Sequence, residues 1–496
     1  MDTAHIPDRQ ALTTDVTTDV CIIGAGIAGL TTAYLLAKEG TKVLVLADRG
    51  VGAGETERTT AHLANALDDR YVELEKIHGI EKAALAAGSH TAAINQIETI
   101  VRSEKIDCAF ERLNGYLFVP EGESNDILHR ELAAAHRAGL TDVTIETRVP
   151  PNTFDMGVHL QFPDQGQFHP LLYLKGLADA VEKMGGIIHT NTHVDSVKGG
   201  ETAVIKTANG HTVTAASVVV ATNAPINDNA TIYTRQAPYR TYVVGLKIPK
   251  KTLQKALYWD TQDPYHYVRV DDSQKNHDVL IVGGEDHKTG QANDAGLRYQ
   301  RLETWARKRF PAATKVLYHW SGQVLETVDG LAMIGRKPLD TDNVYIITGD
   351  SGMGMTHGTI GGMLIRDLIL GTENPWADLY DPGRKTIGDL KEFVKENANV
   401  AGEYADWLRP GKHDDVPMKT ETGMVVRRGT KRIAVYCDAF GKKNELSAVC
   451  PHKGCIVHWN SGEKSWDCPC HGSRFDRYGT VVNGPSSRNL VMIEAD

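Results

Sequence analysis

Two short segments near the end of the chain hold a dense set of metal-binding side chains: CPHKGC at 450–455 and CPCHGS at 468–473. Cys450 and His452 stand two apart and Cys468 and His471 three apart, with fifteen residues between His452 and Cys468. One thiolate and one imidazole from each of two loops is the donor set of a two-iron, two-sulfur cluster in which two sulfurs bind one iron and two imidazoles the other. Zinc draws on the same residue types, but structural zinc sites more often use C-x-x-C or H-x-x-x-H spacing. The spacing therefore favours the cluster.

A second pattern opens the chain. GAGIAG (24–29) lies between the apolar run DVCII and a helical pattern through LTTAYLLAKEG, the context that makes a G-x-G-x-x-G credible as a dinucleotide site. Gly24 allows the tight turn, Gly26 lets the backbone approach a pyrophosphate, and Gly29 lets the helix pack closely on the strand. The helix start then receives the phosphates. The next strand, KVLVL, should end in an acid that bonds the ribose; Ala47 stands there and Asp48 follows one residue later. Asp48 or a backbone group fills that role.

Candidate substrate residues lie in DPYHYVRV (263–270). Strand alternation puts Tyr265, Tyr267 and Arg269 on one face and His266 on the other. An arginine flanked by tyrosines suits a substrate carboxylate held bidentately, and a solvated arginine on an aromatic-rich strand is the competing reading. In VGGEDH (282–287), Asp286 and His287 suit a cationic amine or a metal, with a polar turn after a strand the simpler reading.

These residues need elements to hold them. Residues 18–64 read as strand, glycine turn, helix, strand and loop; long helical patterns follow to about 136, and strands mix with helices to about 375. From about 376 to 416 charge, Pro and Gly dominate, which predicts a linker with one helix. GMVVRRGTKRIAVYCD then reads as two strands around a turn. The expected division is 1–375, 376–416 and 417–496. The fold class is an α/β Rossmann-like nucleotide-binding domain with an interleaved α+β substrate domain, followed by an all-β domain.

At 496 residues the chain exceeds one ordinary core. Its 54 basic and 63 acidic residues give a net charge of -9, which argues against nucleic acid or anionic lipid as a partner. No apolar run is long enough to span a membrane, and the start has no signal-peptide pattern, so a soluble cytoplasmic protein is expected. Five of the seven cysteines fall at 437 or later. Cys21, inside an apolar strand, and Cys437, on a later strand, read as ordinary core packing.

The stretch 417–496 resembles the Rieske family beyond its four ligands. That resemblance implies a disulfide between Cys455 and Cys470, a covering loop at GPSSRNL (484–490), and a hydroxyl at Ser473 donating to a cluster sulfur. Phe475 stands where high-potential members carry tyrosine, which implies a lower, intermediate potential.

Residues 18–372 resemble the D-amino-acid oxidase superfamily, the group of glycine, sarcosine and gamma-glutamylputrescine oxidases. The matching blocks are GAGETERTTAH (52–62), HPLLYLKGLADAVEKMGG (169–186), THVDSV (192–197), VVVATNAP (218–225), DGLAMIG (329–335) and TGDSGMGMTHGTIGG (348–362). The resemblance implies noncovalent FAD. It places Thr59 and Thr60 in the loop beneath the flavin, Val194 at the adenine, and Ala221 and Thr222 at the return to the nucleotide. Gly352, Gly354, Met355 and Thr356 fall in a loop and helix start facing the isoalloxazine, while His62 and His357 are candidates for lining the substrate site.

The fusion implies oxidation of a small amine or amino acid at its C–N bond, with hydride transfer to FAD and single electrons passed to the cluster. The final acceptor is a protein or oxygen. The alternative is an electron-transfer component relaying electrons between a partner reductase or oxygenase and the two cofactors. An enzyme should have an occluded polar pocket beside the flavin, whereas a relay should expose the flavin edge or the histidine tip of the cluster.

Overall fold

The computed structural model describes residues 4–148, 150, 153–226, 232–341, 343–385, 389–407 and 417–493. The strand Val16–Ile23 forms the centre of the first sheet, parallel to Val43–Leu46 on one side and Thr212–Val220 on the other. Ile187–His189 and Val344–Thr348 extend the parallel ladder at its two ends. Both faces of such a sheet are covered, so Val20, Cys21, Ile22 and Ile23 are all buried and the strand reads as a continuous apolar run. Burial also pushes the Cys21 thiol well up, leaving it inert.

Two helices pack against each other over this sheet, Ile27–Lys38 and Gly354–Leu370. Glycines set their separation: a Cβ on Gly358 would lie 2.8 Å from Ile27 Cγ2, and one on Gly362 would lie 2.7 Å from Thr31 Cγ2. Both helices start at the cleft described below, with no acidic residue in their first turns.

The second sheet runs in the order Val316–Thr327, Gln236–Ile248, Asp278–Lys288, His266–Asp271, Leu257–Asp260, Glu111–Phe118, His159–Gln167 and His62–Leu63. Its period-two pattern divides two environments. Tyr242, Val244, Tyr258, Val268 and Val282 pack with Leu302 and Ala306 of the helix Ala295–Arg309. Their neighbours Thr241, Trp259 and Tyr267 turn to the cleft between the two sheets.

Asp286 and His287 do not form a turn. The strand Asp278–Lys288 continues past them, because its end pairs with Tyr239 and Arg240 across a bulge. In the region expected to be a linker, a short helix Ala377–Tyr380 precedes the helix Asp389–Glu403; the expected boundary near 415 falls outside the described residues.

The C-terminal module has a three-stranded antiparallel sheet built from Thr422–Arg428, Lys431–Cys437 and Lys443–Ser447, and a four-stranded sheet built from His458–Asn460, Ser465–Asp467, Arg474–Asp476 and Val481–Asn483. Its core gathers Tyr436, Trp459, Trp466 and Phe475 around the cysteine loops. Among the described residues, no helix is long and apolar enough to cross a membrane.

Candidate active site and cluster site

A cleft of about 350 Å³ lies where the two sheets meet. At one end is the glycine turn. Gly24 has φ +111°, and a Cβ there would lie 2.3 Å from the Ala221 carbonyl oxygen; a Cβ on Gly29 would lie 1.9 Å from the Gly24 carbonyl oxygen. Strand, turn and helix therefore approach as closely as the glycine pattern predicts, and Gly29 works from behind the cleft wall. Gly26 caps the helix, whose Ile27 N–H donates to Thr56 Oγ1 at 3.3 Å.

Gly24, Gly26, Asp48, Thr59, Thr60, His62, Val194, Ala221 and Thr222 line the cleft, together with Tyr265, Gly352, Gly354, Met355 and His357. Gly29, Arg269 and Thr356 are not in its lining. Thr356 Oγ1 donates to the Met353 carbonyl at 3.1 Å and lies 2.8 Å from His90 Nδ1. Arg269 Nε donates to the Thr60 carbonyl, bracing the loop behind His62.

His357 donates from Nδ1 to the Asp350 carbonyl at 2.9 Å and meets His90 Nε2 at 3.2 Å. Burial lowers it to about 4, so it serves as a neutral hydrogen-bonding group at the helix start. Burial, with Arg269 adding to it, lowers His62 to about 3; its Nδ1 lies 3.0 Å from Thr60 Oγ1 and its ring meets Tyr267 edge-on at 5.5 Å.

Sequence reasoning did not single out Asp68. It accepts a hydrogen bond from the Tyr265 hydroxyl at 2.9 Å, and a Cβ on Gly352, which has φ +73°, would lie 1.7 Å from its Oδ2. Asp68 is open to the cleft, and partial loss of water to the protein packed around it raises it to about 7; the Tyr265 bond opposes the shift, and Asp69, Asp286 and Asp350 add to it. Asp350, also in the lining, is raised to about 6 mainly by burial. Asp286 is raised to about 7 by burial and sits behind Thr241, whose hydroxyl lies 2.9 Å from the Tyr267 hydroxyl. Near the two tyrosines the ionisable lining is therefore acidic. Asp68 was legible only as one of two aspartates after the flavin-loop block.

In the C-terminal module the two cysteine loops face each other. Cys450 and Cys468 are buried, and the Cys450 thiol is within hydrogen-bonding reach of Cys468 and Ser473. The rings of His452 and His471 lie 4.9 Å apart. Both ring nitrogens of His452 are shielded from solvent and lack a partner among the described residues, which is what a pair of metal-ligating loops leaves behind. Cys455 and Cys470 form the disulfide that ties the loops together, with Cα atoms 6.4 Å apart.

The cluster loops are turned toward the N-terminal module. Tyr233 presents its ring to His452 at 4.7 Å and to His471 at 5.5 Å, and its hydroxyl donates to the Pro225 carbonyl beside the cleft-lining residue Ala224. A Cβ on Gly472, between His471 and Ser473, would lie 2.5 Å from Pro238 Cβ.

The same two units emerge from comparison with known proteins. Residues 19–368 match the family model "FAD dependent oxidoreductase", and residues 406–494 match "Rieske [2Fe-2S] domain". The chain belongs to the FAD-dependent oxidoreductase family, with a C-terminal Rieske domain. This oxidoreductase is 31% identical over 99% of its length, and 96% of the other chain, to the "Putative Rieske 2Fe-2S iron-sulfur protein YhfW" of Bacillus subtilis (strain 168). It is 28% identical to the gamma-glutamylputrescine oxidoreductase of Escherichia coli (strain K12), covering 73% of this chain and 86% of that one. Glycine oxidase from Geobacillus kaustophilus shares the fold at TM-score 0.61 and 19% identity, covering 75% of this chain and 99% of that one.

The cofactors of the oxidoreductase are FAD and a Rieske two-iron, two-sulfur cluster. The residues fit both. The cleft carries two donor-rich helix starts and a glycine turn for the dinucleotide, and the paired loops carry two thiols and two imidazoles for the cluster.

Proposed function

We propose that the enzyme oxidises the C–N bond of a small amine, hydride passing to FAD and the two electrons then leaving singly through the cluster. Bound FAD supplies the two-electron acceptor and the cluster a one-electron carrier. The observation that carries this reading is the placement of Tyr233 against both cluster histidines, on a segment whose neighbour Ala224 lines the cleft. A histidine tip turned inward suits an internal electron path better than a docking face for a partner, which disfavours the relay reading.

The chain's own residues prepare the substrate. Asp68 and Asp350 favour a cationic amine over a free carboxylate, and Arg269 is engaged with the Thr60 carbonyl. Asp68, raised to about 7 and held by Tyr265, accepts the ammonium proton, because a base works best when its pKa lies near the working pH. The neutral amine then loses hydride from the adjacent carbon and becomes an iminium ion, the protonated form of the imine. Tyr265, Tyr267 and Trp259 form the aromatic wall that orients the carbon chain.

The test is an anaerobic titration followed by the flavin absorption band, with alkyl diamines and monoamines against amino acids. The expected result is bleaching by amines at lower concentration than by amino acids. If dithionite bleaches the flavin and no amine does, the reading is wrong.

The cluster offers a separate check. Phe475 is buried in the module core, and Ser473 is the hydroxyl beside Cys450. Phe475→Tyr is expected to raise the midpoint potential by adding a donor toward the cluster. Redox titration yielding the same potential in both proteins would rule out that route.

A further inference from the structure

The segment 481–487 belongs to the Rieske domain, outside the stretch that matches the oxidoreductase family, yet Val481, Val482, Asn483, Gly484, Ser486 and Ser487 all line the dinucleotide cleft. Its contacts fall on both sides. Toward the N-terminal module, Arg49 Nη2 donates to the Val482 carbonyl at 2.9 Å, and the Asn483 amide donates to Glu55 Oε1. His193 Nε2 donates to the Ser487 carbonyl at 2.6 Å, while its Nδ1 lies 2.7 Å from Asp48 Oδ1. Arg49, Glu55, Asp48 and His193 themselves line the cleft. Toward the cluster, the Ser486 N–H donates to Ser473 Oγ at 3.0 Å, and Ser473 is the hydroxyl within reach of Cys450.

We propose that this loop is a working wall of the FAD site, closing the end of the cleft where Asp48 and His193 stand, and that FAD retention and the integrity of the cluster module are thereby linked. The loop brings a side-chain amide, two hydroxyls and backbone groups to a dinucleotide's sugar and phosphates, and it cannot shift without disturbing Ser473 beside the cluster. When one loop serves two sites, binding at either stabilises the other by the same factor. The departure noted at Asp48 acquires a reason here: this carboxylate is engaged by His193, which also holds the loop, so part of the site's closure comes from a domain that the strand–turn–helix fingerprint does not include.

The test uses the full-length holoprotein. In Asn483→Ala the Rieske signal should persist while the dissociation constant for FAD, read from the fluorescence of released cofactor after ultrafiltration, rises about tenfold. In the unaltered protein, thermal loss of the cluster's visible circular dichroism should occur at higher temperature with saturating FAD than after partial deflavination. An FAD constant within about twofold of the unaltered protein would overturn the proposal. So would a cluster melting temperature indifferent to FAD, a reading that needs no variant and therefore stands even if Asn483→Ala disturbs the cluster.

Discussion

Asp68→Asn is expected to lower kcat/KM for an amine substrate by about 10²-fold or more, the scale of a lost general base. The sign of the pH dependence follows from the direction of its shift. Asp68 is raised to about 7 by the desolvating protein around its side of the cleft, so it is protonated and unable to accept a proton in acid, and it ionises as pH rises through that value. Activity of the unaltered enzyme should climb through about pH 7, and the variant should lose that limb. Asp286 and Asp350 are raised as well, so the measured value belongs to the group of carboxylates. A variant that retains both rate and limb would move the base to Asp350 or to the solvent.

Asp467→Leu is expected to destabilise the enzyme by about 3–5 kcal/mol, because it strips the counter-charge from buried guanidinium groups. Asp467 is 2% exposed and accepts from Arg474 Nε at 3.1 Å, Asn460 Nδ2 at 2.8 Å and Ser465 Oγ at 2.7 Å. Burial alone would raise its pKa, and Arg474 and then Arg240 reverse the shift. Arg240 comes from the other module and is 0% exposed, with Nε 4.0 Å from Asp467 and Nη1 donating to Ser321 Oγ at 2.6 Å. Glu463 continues the network: it accepts from Ser321 Oγ at 2.7 Å and faces Arg58 at 3.4 Å. Removing Asp467 therefore leaves the two buried guanidinium groups at the module boundary with Glu463, 3.6 Å from Arg474, as their nearest remaining counter-charge. Thermal unfolding followed at the cluster should show an early loss of the Rieske module, and a shift equivalent to under about 1 kcal/mol would mean that water reaches the network.

The two cofactor sites were legible because their signals are local. Ligand spacing in CPHKGC and CPCHGS and glycine spacing in GAGIAG each fix a geometry within a few residues. Alternation in DPYHYVRV correctly separated Tyr267 from His266, which turns away to Asp260 at 3.0 Å. What stayed hidden depends on contacts between distant segments. Asp68 meets Tyr265 across 197 positions, Arg269 is engaged by a carbonyl more than 200 positions away, and Asp286 read as a turn because the bulged pairing partner lies on another strand. Tyr233 and Asn483 carried no pattern at all. Their placement follows from how the Rieske domain docks, and no spacing rule encodes that interface.

The most direct test of the central claim is electron paramagnetic resonance on the full-length oxidised protein, frozen after anaerobic mixing with an amine that bleaches the flavin and with no other reductant. A reduced Rieske signal that grows as substrate is consumed is the expected result. A bleached flavin beside a silent cluster that dithionite can still reduce would contradict it, since electrons would then leave the flavin by a route that bypasses Tyr233 and the histidine tip.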